Sequence, residues 1–376
     1  MAGIYIHIPF CKQACHYCDF HFSTSVKTKT QLLEALVQEI QLRHTDWQDE
    51  PIETIYFGGG TPSVLSAAEL TFLLDAVYHN FQVIESPEIT LEANPDDLSP
   101  EYLVALSQTR INRLSIGIQS FFDADLQLMN RAHNAEQAKQ SLALASTYFD
   151  NITLDLIYGM PNMSNQRWLQ NIETALSFGV PHISAYALTV EPKTALQSFI
   201  QKGQMLPLDE AVAAEHFKLL VNALEAHGFV HYELSNFGKP TYFSQNNSSY
   251  WLGKKYLGIG PSAHTFDGQS RSWNVSNNAK YIKAIQSQEL PSETEILSLT
   301  DRYNEYIMTG LRTIWGVSLD KVKTDFGITY LQYLEKQIQS PLQNGFLNIE
   351  AGILTTTAQG KFLGDGIAAD LFVINN

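Results

Sequence analysis

Between Gly3 and Leu188 the chain alternates strand-like runs with amphipathic stretches, six times over, at roughly 30-residue spacing. Strands are expected at Gly3–Ile8, Glu53–Phe57, Glu88–Glu92, Arg113–Gln119, Ile152–Tyr158 and His182–Leu188. Helical spacing fills the gaps at Lys29–His44, Ser66–Asn80, Ser99–Thr109, in segments up to Thr147, and at Asn165–Phe178. Repeated strand–helix units demand a parallel sheet with right-handed crossovers. Six of them make an α/β partial TIM-like barrel. Function in such barrels gathers at the C-terminal strand ends, where this chain has Glu92, Gln119, Asp155 and Tyr186. The second strand breaks into Gly58-Gly59-Gly60-Thr61, a turn that lets backbone approach a ligand closely.

The first strand leads into the loop Cys11-Lys12-Gln13-Ala14-Cys15-His16-Tyr17-Cys18, which holds all 3 cysteines of the chain. An odd number on so short a loop cannot form a disulfide framework. Three thiolates converging there suit a soft metal centre. Two readings fit: a zinc knuckle completed by His7, His16 or His21, or a 4Fe–4S cluster with one iron open to an outside ligand.

The C-x3-C-x2-C loop, with Tyr5-Ile6-His7-Ile8-Pro9-Phe10 before it and Asp19-Phe20 after it, resembles that of the radical S-adenosylmethionine (SAM) enzymes. Within them it is similar to the oxygen-independent coproporphyrinogen III oxidase group, and in particular to that group's haem chaperone branch. The resemblance implies that Cys11, Cys15 and Cys18 ligate the cluster. It implies that Tyr5, Gly59 and Glu92 contact the SAM bound there. Tyr17, Gly60, Thr61, Gln119, Arg131, Asp155 and Ala187 would line the second SAM position described for the oxidase. In that chemistry one electron from the cluster splits the SAM sulfonium. The oxidases usually carry a further cysteine where this chain has Phe20, and an extension ahead of the cluster loop for which ten residues leave no room. Both departures favour the chaperone branch.

Beyond a helix at Leu208–His227, His231–Phe237 again resembles the family. The branch then shows H-N-x-x-Y-W, with a histidine implicated in holding haem. This chain has Asn246-Asn247-Ser248-Ser249-Tyr250-Trp251, and an amide is a poor ligand for haem iron. Haem is still the implied cargo, its ligand left open among His231, His264 and Tyr250. Haem binding is therefore expected to be weaker than in a relative with histidine at this position, and Asn246→His should tighten it. A domain boundary is expected near 291, dividing a barrel (1–240), an extension (241–290) and a winged-helix-like domain (291–376). That last part should have helices at Ser298–Thr313, Ser318–Phe326 and Ile328–Ser340, then a hairpin at Phe346–Ile349 and Gly352–Thr355.

The net charge of −15, from 24 Lys+Arg against 39 Asp+Glu, opposes tight nucleic-acid binding, which rests on neutralising phosphates. No apolar run reaches the ~18 residues of a membrane span, and free thiolates imply a reducing compartment, so a cytoplasmic protein is expected. A haem-transfer protein, a radical SAM enzyme acting on a porphyrinogen or other small molecule, and an RNA-modifying enzyme all remain open. The charge speaks against the last. A haem acceptor and an electron donor are the implied partners.

Overall fold

The computed structural model describes residues 1–374. Strands β1 (Ala2–Ile8), β2 (Ile52–Gly59), β3 (Val83–Ala93), β4 (Arg113–Gln119), β5 (Ile152–Tyr158) and β6 (His182–Ala187) lie side by side and parallel. The expected six-strand barrel is therefore present, with helices at Lys29–Trp47, Ala67–Asn80, Pro100–Ser107, Ala135–Ala145 and Asn165–Ser177. Local sequence sets several helix starts. Ser66 and Glu69 close a capping box, as do Asn134 and Gln137, and the Ser99 hydroxyl accepts from the Tyr102 N–H.

The sheet is larger than the sequence rhythm indicated. Beyond β6 it continues through the short β7 (Val230–Glu233) and β8 (Asn236–Gly238). Beyond β1 come β9 (Lys255–Ile259), parallel to β1, and then antiparallel β10 (His264–Phe266), β11 (Ser270–Asn274) and β12 (Ser292–Ile296). β12 lies just past the division expected near 291 and still belongs to the barrel's sheet. These short, turn-rich strands lack the alternation that identifies the first six.

Alternation gives the barrel two unlike faces. Ile4, Ile6, Ile8, Ile55, Phe57, Leu91, Leu114, Ile116 and Leu154 are buried beneath the helices. The inner face is polar. Near the lower strand ends, Arg113 bonds Thr153, Thr153 meets His182 Nδ1 at 3.0 Å, and His182 Nε2 meets the Tyr232 hydroxyl at 2.7 Å. A buried network of this kind is stable only when its members are paired. The helix Gln245–Trp251 closes the base, the Gln245 and Asn246 N–H groups each donating to the Glu88 carboxylate at 3.0 Å. A carboxylate there satisfies open helix donors.

A second core forms around Tyr303, Ile307, Leu311, Val322, Leu334 and Leu354. It has helices at Leu299–Leu311, Leu319–Phe326 and Ile328–Gln337, and a sheet of β13 (Val317–Ser318), β14 (Leu347–Glu350) and β15 (Ile353–Thr356) ordered 13-15-14. The expected helices and hairpin are all there. This module joins the barrel through Ile314 N–H to Tyr232 O at 3.0 Å and Arg271 to Glu305 at 2.9 Å.

Candidate functional site

The cysteine loop leaves β1 over the upper strand ends and is tied down from three sides. Cys11 N–H donates to Ser23 O at 3.1 Å, and His16 N–H to Met129 O at 3.1 Å. The Leu196 N–H reaches His16 O at 2.8 Å. Asn130 Nδ2 donates to Ala14 O at 2.7 Å, and Lys12 pairs with Asp96 and Asp97. All three thiols are half-buried. Burial pushes the Cys18 thiol up to about 11 and raises that of Cys11, with neighbouring thiols adding to both.

Below the loop lies a cavity of about 600 Å³. Cys11, Cys15, Cys18, Tyr17, Gly59, Gly60, Thr61, Glu92, Gln119, Arg131, Asp155 and Ala187 all line it. Of the residues singled out by resemblance, Tyr5 alone stands back. Its hydroxyl meets His7 Nδ1 at 3.2 Å, and its ring stacks on Tyr56, 6.1 Å between centroids. Tyr56 in turn donates to Glu92 at 2.8 Å. The exposed Tyr186 also lines the cavity.

The glycine turn is required sterically. Gly59 has φ +109°, where a Cβ would sit 2.5 Å from the His7 ring, and a Cβ on Gly60 would lie 2.7 Å from Phe10 O. Bare backbone therefore faces the cavity. At the end of β4, Gln119 holds φ 65°, an uncommon conformation for a residue with a side chain. Burial raises Glu92 to about 7, against the Tyr56 hydrogen bond, with Asp155 adding to the rise; burial likewise lifts Asp155 to about 6. The chamber thus holds two carboxylates that take up protons readily.

Arg131 is no surface arginine. Its Nη2 donates to Asn94 Oδ1 at 2.6 Å and Gly117 O at 2.9 Å, and its Nη1 to Cys15 Sγ at 3.3 Å. Asn94, which sequence reasoning did not single out, also reaches Thr61 Oγ1 at 3.3 Å. It links the glycine turn to Arg131. Ser115, likewise missed, points its hydroxyl at both oxygens of Asp155 at 3.4 Å.

The donor set suits an iron–sulfur cluster. His7 Nε2 bonds His21 O at 2.9 Å, His16 Nδ1 bonds Leu128 O at 2.9 Å, and His21 Nε2 bonds Asn278 Oδ1 at 2.7 Å. Only His7 has both ring nitrogens engaged; these bonds leave His16 Nε2 and His21 Nδ1 open, so they do not separate the two metals. Among the described residues no three His, Cys, Asp or Glu side chains are placed to hold a single ion. Three thiols around an open chamber match a cluster with one iron free.

The residues named as haem ligands are scattered. Asn246 is buried inside the base of the barrel, its Oδ1 accepting from Thr54 Oγ1 at 3.1 Å. His231 is buried far from the chamber, with Nε2 on Leu234 O at 3.1 Å and Nδ1 accepting from Lys361 at 3.0 Å. Tyr250 packs edge-on against Tyr256, 4.7 Å between centroids. His264 is exposed on β10.

Fold and chamber together define a radical SAM protein. The radical SAM superfamily model matches residues 5–175, and the HemN C-terminal domain model matches 297–363. Radical SAM proteins carry a 4Fe–4S cluster and bind SAM. The haem chaperone HemW of Bacillus subtilis is 34% identical over 98% of this chain and 98% of its own length. That of Escherichia coli is 32% identical over 96% and 95%. A mouse relative, radical S-adenosyl methionine domain-containing protein 1, mitochondrial, is 37% identical over 97% of this chain and 82% of its own. The chain belongs to the HemW family. Coproporphyrinogen III oxidase (HemN) from Escherichia coli superposes with a TM-score of 0.84 at 21% identity, over 99% of this chain and 90% of that one. At that identity the likeness is one of fold.

Proposed function

We propose that this protein is a haem chaperone: it binds haem and hands it to an acceptor protein, with a SAM-binding cluster in its barrel. The observation that carries the reading is the match to HemW relatives along nearly the whole of both chains, on a chain that keeps the three-cysteine loop. In this reading Cys11, Cys15 and Cys18 hold the cluster, and the backbone at Gly59 with the Glu92 carboxylate takes the amino and ribose ends of SAM. Gly60, Thr61, Gln119, Arg131, Asp155, Ala187 and Tyr17 shape the rest of the chamber, and Tyr5 supports it through Tyr56. When bound, the reduced cluster supplies the electron that cleaves SAM. The chain's own part is to orient SAM and exclude water.

Residues 1–240 would carry this chamber, 241–290 the base and side wall, and 291–376 a module docked against both. The reading calls for an electron donor, and thiols that must stay reduced support a cytoplasmic setting. No helix among the described residues is long and apolar enough to cross a membrane. The test is anaerobic reconstitution followed by haemin titration with and without SAM, and product analysis with coproporphyrinogen. Close to four irons, lost in Cys11→Ala, Cys15→Ala or Cys18→Ala, and haem uptake without coproporphyrinogen turnover are expected. Turnover of the porphyrinogen without haem uptake would replace this reading with a small-molecule radical enzyme.

A further inference from the structure

The inner face of the barrel does not stop at β1. Paired residues on neighbouring strands point to the same side of a sheet. Tyr56 on β2 pairs with Tyr5 on β1, and Tyr5 with Gly258 on β9. Phe266 of β10 pairs with Tyr256 of β9, which sets His264 beside Gly258; His264 then pairs with Trp273 of β11. One row therefore runs from residues behind the SAM chamber onto the side sheet, ending at an imidazole and an indole. His264 lies two strands from Tyr5.

A Cβ at Gly258 would sit 2.1 Å from the His264 carbonyl oxygen, so only glycine lets the His264 backbone pack this closely over β9. His264 is exposed, and Trp273 is partly exposed with its ring 6.1 Å from the imidazole. No hydrogen bond reaches either imidazole nitrogen of His264; among the described histidines only His79, on the outer surface of a helix, shares that condition. Partial burial, helped by Arg271, lowers the His264 pKa, so the ring is neutral with a lone pair to give at physiological pH. Phe266 extends the apolar surface along the same face.

We propose that His264 is the protein ligand to haem iron, with the porphyrin lying against the neighbouring Trp273 and Phe266 rings. This rests on the haem-chaperone reading above and supplies the ligand that Asn246 cannot. A neutral imidazole is a common haem ligand, and a flat aromatic macrocycle gains by covering aromatic faces. The site is beside the SAM chamber and separate from it, so cluster, SAM and haem can be held at once. Asn246 plugs the base of the same barrel, behind Gly3 and Thr54, with its side chain turned inward.

The experiment is haemin titration of the reconstituted full-length protein, followed at the Soret band. His264→Ala should weaken binding at least tenfold and shift the band, whereas His264→Met should bind with a different spectrum. His79→Ala should change neither, and iron content and circular dichroism should be the same in all. If wild type and His264→Ala bind haemin alike, the ligand assignment is overturned while the chaperone reading stands. If wild type takes up no haemin, the chaperone reading fails and the assignment with it.

Discussion

The guanidinium of Arg131 donates to the sulfur of Cys15 at 3.3 Å while two backbone-anchored acceptors, Asn94 Oδ1 and Gly117 O, hold its other nitrogen. Hydrogen bonds and positive charge at cluster sulfurs stabilise the reduced, more negative state. Arg131→Met should therefore make the cluster harder to reduce. Loss of one charge-assisted bond of about 1.5–3 kcal/mol corresponds to at most about 130 mV for one electron. An EPR-monitored redox titration measures it, and an unchanged potential would show that the contact does not tune the cluster.

Glu92 is placed to accept from SAM and supplies no iron ligand. Glu92→Ala should leave the cluster spectrum intact and weaken SAM by one to two decades, the worth of one charged hydrogen bond at ~1.5–3 kcal/mol. Equilibrium binding on the reconstituted protein decides the matter.

The same carboxyl makes the apo-protein sensitive to pH. Its pKa rises from 4.5 to about 7 on folding, chiefly by burial, and that of Asp155 from 3.8 to about 6. Across that window the folded state holds protons that the unfolded chain has released, so stability is greatest at the acid end and falls as pH rises towards 7. For Glu92 the loss is up to about 3 kcal/mol. Urea midpoints of apo wild type and Glu92→Gln at pH 5 and 7.5 should converge at the lower pH and diverge at the higher, with the variant the more stable.

At the base of the barrel, Asn246→Ala should cost about 1–3 kcal/mol by leaving the Thr54 hydroxyl without its buried acceptor. Asn246→His, expected from sequence alone to tighten haem, should leave haemin affinity unchanged, because this side chain points into the lumen. A tightened complex with a shifted Soret band would return the haem site to this helix.

Much of this molecule is legible in its order of residues. The six-strand rhythm, the three-cysteine loop and the glycine turn each follow from short-range constraints: strand alternation, thiol spacing, and the φ that only glycine adopts freely. Helix starts at Ser66 and Ser99 were equally local. What tertiary structure decided is which distant groups meet. Arg131, 116 positions from Cys15, becomes a buried donor to it only because the chain folds 128–131 under the cluster loop. Asn246, which stands in sequence where the resemblance expects a haem-binding histidine, is a plug in the barrel, since its helix end is captured by Glu88, 158 positions away. The wall carrying His264 is built from strands of three to five residues, too short for periodicity to reveal. Their register, and so the direction in which His264 points, is set by pairing with β1 through β9 and by nothing within the strands themselves.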